Sequence, residues 1–188
     1  ISLLLPSLRL ARESARMALC GSQIRQLALA FVQYTTDNLR FPSTGRGTQL
    51  LSTAPWIDCS AGMHHGGAPG DPKAGVLFPY VGNEAIYQCP STDGRDICYP
   101  DYPDQTFSYG LGQWWLYQRS EEIDFDPDRT IMLVDSGNSK STYFCQPDDG
   151  NYKLWELGAS LHYDLPTDRH VGQQSVLAMP DTRVVWIH

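Results

Sequence analysis

The chain has 188 residues, enough for one domain that buries a substantial core. Its 14 Lys plus Arg stand against 21 Asp plus Glu, and the net charge of -7 works against a sequence-independent grip on nucleic acid phosphates. Five cysteines among many Pro, Gly, Tyr and Trp read as an exported protein rather than a cytosolic enzyme, and the odd count leaves at least one thiol unpaired within its own chain.

The chain opens with the apolar stretch Ile1 to Leu5, which reads as a cut end, and no run is long enough to span a bilayer. From Ser7 to about Asn38 the pattern is helical: Leu10, Met17, Cys20, Ile24, Leu27, Phe31 and Tyr34 recur at steps of three, four and seven. Arg9, Arg12, Arg16 and Arg25, with Ser14, Gln23 and Gln26, mostly fall outside that stripe. Pro6 suits a helix start, or a kink if apolar helix precedes it. Gly21 and Ser22 mark a point where the helix can bend, or where two shorter core helices would part. Unbroken, the span is roughly 50 Å long, against a globule about 40 Å across. The apolar end, Ile1 to Leu10, is therefore expected to overhang its own domain and to need a membrane, a detergent or sister subunits. The first 40 residues also carry five arginines against two acids, giving a basic arm on an acidic body.

Beyond Phe41-Pro42 the texture turns to Gly, Ser, Thr and Pro. Residues 43 to 73 read as a long structured loop whose Gly-rich tract, Gly62 to Gly70, matches no phosphate-loop spacing. Short apolar runs follow at Val76 to Val81, Ile86 to Cys89, Phe107 to Leu111, Thr130 to Val134, Tyr143 to Cys145, Ser175 to Met179 and Arg183 to Ile187, most of them expected to be strands. The last two flank Pro180-Asp181-Thr182 as a terminal antiparallel hairpin. One helix followed by many strands, without repeated βαβ units, predicts an α+β fold: a long N-terminal helix (1–40) packed on an antiparallel sheet in a head (41–188) with long loop insertions.

Several segments resemble the bacterial type IV pilus and type II secretion proteins, especially the prepilin-like family that ends in His, nine residues, then Asp-Gly. They are LLLPSLRLARESARMALCGSQIRQLALAFVQYTTDNLRFP, GVLFPYVGNEAIYQCPST, TFSYGLG, RTIMLVDSG and RHVGQQSVLAMPDTRVVWI. Two features depart from the family: Pro180-Asp181 stands where Asp-Gly is expected after His170, and the processed N-terminus with its Glu is missing. The resemblance implies a pilin-like fold, export through the inner membrane with anchoring there before assembly, and polymerisation with copies of itself or other pilin-like subunits into an extracellular filament or secretion pseudopilus. Leu3, Leu4, Leu5, Leu8 and Leu10 are then expected to make helix-to-helix contacts, with Arg9, Arg12 and Arg16 meeting acidic residues of neighbours. Cys20 and Cys89 stand where the family places cysteine, which implies a bridge of helix to sheet. It would close a loop of roughly 70 residues and contribute ~4 kcal/mol in the chain-entropy picture. Cys59, Cys98 and Cys145 offer a second bridge, with Cys98 to Cys145 as one pairing.

No enzymatic constellation stands out. His64, His65, Asp71, His162 and His170 are of metal-ligating type but lack the spacing of a zinc module, and no cofactor is expected. Asp124, Asp126 and Asp128 alternate as in a calcium loop without its Gly and closing Glu. Asp135 and His170 read as a structural hydrogen-bonded pair, since no Ser or Cys nucleophile lies in a recognisable motif around them. Trp114, Trp115 and Tyr117 are either packing under the long loop or a sugar-stacking patch. That patch carries the rival expectation, a secreted carbohydrate-binding or adhesive module that does not polymerise.

Overall fold

Ala-rich composition and the absence of Pro after position 6 let one helix, α1, run unbroken over Leu4–Asn38 in the computed structural model, which describes residues 4–43, 55–57, 71–91, 107–112, 131–135, 143–144, 170 and 175–187. The alternative of two helices parting at Gly21 is thereby overturned. In the last turns, Thr35, Thr36 and Asn38 donate from their side chains to the carbonyls four residues back. Leu39 then stops the helix by adopting a left-handed backbone (φ 57°) while its N–H donates to the Thr35 carbonyl. Pro42 follows and resists any continuation.

Only the second half of α1 enters the core. Cys20, Ile24, Leu27, Ala28, Phe31 and Tyr34 are buried, as the stripe predicts, whereas Leu10 of the same stripe is exposed and Met17 half-buried, because none of the described strands covers that part of the helix. Each fully buried Ile, Leu or Phe contributes about 1.5–3 kcal/mol. Gln23, expected on the polar face, is buried with its needs met: its Nε2 donates to the Ala85 carbonyl and its Oε1 accepts from the Tyr109 hydroxyl.

Among the described residues, five strands form one sheet in the order β3-β1-β2-β4-β5: β1 Tyr109–Gly112, β2 Leu133–Asp135, β3 Tyr143–Phe144, β4 Ser175–Ala178 and β5 Val184–Ile187. β1, β2, β4 and β5 are antiparallel, which is the α+β architecture expected, and α1 packs on β2, β4 and β5. The edge strand β3 departs from that pattern and runs parallel to β1. Every residue of β2 is buried, which places Asp135 at the end of a strand with no wet face.

The terminal hairpin forms as predicted. Thr182 N–H donates to Met179 O and Met179 N–H to Arg183 O, enclosing Pro180, Asp181 and a left-handed Thr182 (φ 66°). This is a type I turn closed by one residue in the conformation that glycine favours. A β-branched threonine holds it at a cost of about 1–2 kcal/mol. Asp181 offsets part of this by accepting from the Arg183 N–H and pairing with its guanidinium.

Two expected strands are not strands. Within Val76 to Val81 the chain makes a short helix, α2 (Phe78–Val81), with Pro79 in its first turn and Gly82 as a left-handed C-cap, because proline has no N–H for a ladder. Within Ile86 to Cys89 it makes a 3-10 turn, Glu84–Tyr87, nucleated by the Asn83 side chain accepting from Ala85 N–H. These turns pin a small aromatic cluster under α1, with Trp56 between Phe31 and Tyr87 at ring separations of 5.4 and 6.1 Å. Gly75 closes this corner: a Cβ there would lie 2.0 Å from the Trp56 carbonyl oxygen.

Candidate functional site

Two features stand out: a buried cluster of reactive side chains beneath the middle of α1, and the exposed first half of α1 itself.

The cluster draws on four separate pieces of chain. Cys20 is the first fully buried residue of α1, Cys89 follows the 3-10 turn, Asp135 ends β2, and His170 precedes the hairpin. Their ligating atoms all lie within 4.8 Å of one another. His170 Nε2 is 3.2 Å from Asp135 Oδ2 and 3.7 Å from Cys89 Sγ, and Cys20 Sγ is 3.7 Å from Asp135 Oδ2. The His170 and Asp135 side chains are both 0% exposed.

A further set of groups holds the four in place. His170 Nδ1 meets Ser91 Oγ at 3.3 Å, and the Ser91 hydroxyl points on to Glu13 Oε2 at 3.5 Å. The Tyr109 hydroxyl lies 3.2 Å from Cys20 Sγ while donating to Gln23 Oε1. Trp186 of β5 packs edge-on against the imidazole, with centroids 5.4 Å apart. Gly21 makes room for that indole, since a Cβ at this position would be 3.1 Å from Trp186 Cζ2. The glycine expected to bend α1 instead admits the residue that orients His170.

The protonation pattern follows from these contacts. The hydrogen bond shared between the two thiols pushes Cys20 up and Cys89 down, to about 6 for Cys89, with burial and Asp135 adding to the rise at Cys20 and His170 to the fall at Cys89. Burial pulls His170 down, but the Asp135 carboxylate and Cys89 outweigh it and leave the imidazole at about 9. Tyr109 is held well above its ordinary value by burial. The cluster thus combines a proton-holding thiol, a thiolate-prone sulfur and an imidazolium-prone ring with a carboxylate. All four residues are buried, and the set can hold charge or an ion.

The sequence singles out each of the four residues, but not their meeting. Cys20 and Cys89, the pair for which the resemblance implies a bridge, meet in the cluster with their sulfurs within 4.8 Å of one another, each as a free thiol that also neighbours Asp135 or His170. The Asp135–His170 contact has the form expected, and the nucleophile-type neighbour missing from any local motif is Cys89, brought in across 81 residues. Among the other candidates, Asp71 is exposed and accepts from Lys73 N–H, capping the 3-10 turn Pro72–Ala74. Cys59, Cys98, Cys145, His64, His65, His162, Trp114, Trp115, Tyr117, Asp124, Asp126 and Asp128 lie outside the described residues.

On the arm, Leu8 and Leu10 are 61% and 57% exposed, and Leu19, Leu29 and Val32 continue the exposed apolar positions along the helix. Leu3 and the side chains of Leu4 and Leu5 lie outside the described residues. Arg9 and Arg12 are exposed, whereas Arg16 is paired within the helix to Glu13. Among the described residues, no helix is long and apolar enough to cross a membrane. Comparison with protein families, curated proteins and solved structures yields no match to this chain.

Proposed function

We infer that the protein is a structural subunit of an extracellular type IV pilus-like filament or secretion pseudopilus, assembling through its N-terminal helix with copies of itself or related subunits. The observation that carries this reading is the division of α1: its residues from Cys20 onward seal the core, while Leu8, Leu10 and Leu19 stay exposed on a helix that leaves its own sheet behind. A helical arm that exposes leucines is stabilised by packing against like arms, where each buried leucine contributes about 1.5–3 kcal/mol. The exposed Arg9 and Arg12 give such packing an electrostatic register against the acidic body of a neighbour. The resemblance of the opening segment and of the C-terminal hairpin to the prepilin-like family points the same way. Export, inner-membrane anchoring before assembly and a location at the cell surface are parts of this proposal.

The test is made in cells expressing the full-length protein. Electron microscopy with antibody labelling is expected to show the subunit in surface filaments, and Leu8→Glu with Leu10→Glu is expected to abolish incorporation while the purified variant keeps its circular dichroism and melting temperature. Filaments that form normally from the double variant would sink the assembly reading.

A further inference from the structure

We propose that Cys20, Cys89, Asp135 and His170 form a structural binding site for a divalent transition metal of the zinc class, which clamps the helix to the sheet. The site is independent of filament assembly and stands on its own geometry. Zinc bonds of about 2.3 Å to sulfur and about 2.0–2.2 Å to nitrogen or oxygen, set at tetrahedral angles, place S···O and S···N neighbours about 3.6 Å apart and N···O neighbours about 3.4 Å apart. The separations here are 3.7 Å for Cys20 Sγ to Asp135 Oδ2, 3.7 Å for Cys89 Sγ to His170 Nε2 and 3.2 Å for His170 Nε2 to Asp135 Oδ2. Three of the six separations among these donors therefore match a tetrahedral site, and the other three lie within 4.8 Å.

The donor chemistry narrows the ion. Two sulfurs disfavour calcium and magnesium, which take oxygen ligands, and select zinc-like ions, for which imidazole and carboxylate complete a familiar set. All four positions come from protein and all four residues are buried, the mark of a closed structural centre rather than a catalytic one with an open position.

The surroundings fit as well. A metal-bound imidazole carries its proton on the other nitrogen and hands it to an acceptor, and His170 Nδ1 faces Ser91 Oγ, which is backed by Glu13. Two thiolates and a carboxylate around a divalent ion leave one net negative charge, and the Tyr109 hydroxyl, 3.2 Å from Cys20 Sγ, can turn its proton from Gln23 Oε1 to that sulfur. A Cys20–Cys89 disulfide would use two of the four groups and leave Asp135 and His170 as a hydrogen-bonded pair beside it. A metal ion engages all four.

The measurement uses the full chain, purified without chelator and without added reductant. Elemental analysis is expected to find about one zinc per chain. Replacement by Co2+ is expected to give the intense visible bands of tetrahedral coordination with sulfur-to-metal charge transfer, and X-ray absorption to count two sulfur and two nitrogen or oxygen neighbours. These readings need no variant, so they hold even where a substitution prevents folding. Cys89→Ser and His170→Gln are expected to lose the ion, and Ser91→Ala to weaken Zn2+ binding about 10–100-fold. An intact mass lower by two hydrogens with linked Cys20 and Cys89 peptides, a bound ion with no sulfur neighbour, or zinc content unchanged in Cys89→Ser would each overturn the proposal.

Discussion

The two halves of α1 share one backbone and similar helix-forming residues, yet they live in different solvents. Residues 6–19 face water on nearly every side, while residues from Cys20 to Tyr34 press Ile24, Leu27 and Phe31 into the sheet and the aromatic cluster. Local propensity builds both halves. Only tertiary burial separates a half that stabilises the monomer from a half that is free to serve a neighbour.

That contrast can be broken by substitution. Leu27→Ala, in the enclosed half, is expected to destabilise the protein by about 2–5 kcal/mol in denaturant titration, because a fully buried side chain leaves a cavity. The hairpin gives a smaller effect of opposite sign: Thr182→Gly removes left-handed strain from a β-branched residue and should raise stability by ~1 kcal/mol in the same titration. Leu10→Ala, in the exposed half, should change monomer stability by no more than about 0.5 kcal/mol. A large loss at Leu10 in monomeric protein would mean that the arm folds back on its own body, and the contrast between the halves would fail.

The features legible in the sequence were those encoded by neighbours. The 3.6-residue period gave α1 and the depth of Ile24, Leu27 and Phe31, and alternation on either side of Pro180-Asp181-Thr182 marked the hairpin. Val76 to Val81 misled because apolar content alone does not distinguish a strand from a buried turn, and Pro79 with Gly82 decided for a helix. Met17 and Leu10 kept the period of the core without the core, since periodicity says which side of a helix is apolar and not where its partner ends. Gln23 read as surface because a glutamine is usually wet, and its burial depends on Ala85 and Tyr109, both far away in the chain. The cluster was the least legible part. Cys20 meets Asp135 across 115 residues, and no local spacing rule reports a meeting of that kind.

Because α1 is a single rod from Leu4 to Asn38, a pull on its N-terminal half is not absorbed at a hinge near Gly21. The tension travels to the body as sliding along the whole row from Cys20 to Tyr34, so those contacts resist together instead of peeling one at a time. Such a joint is strong against load along its axis and weaker against being levered away sideways.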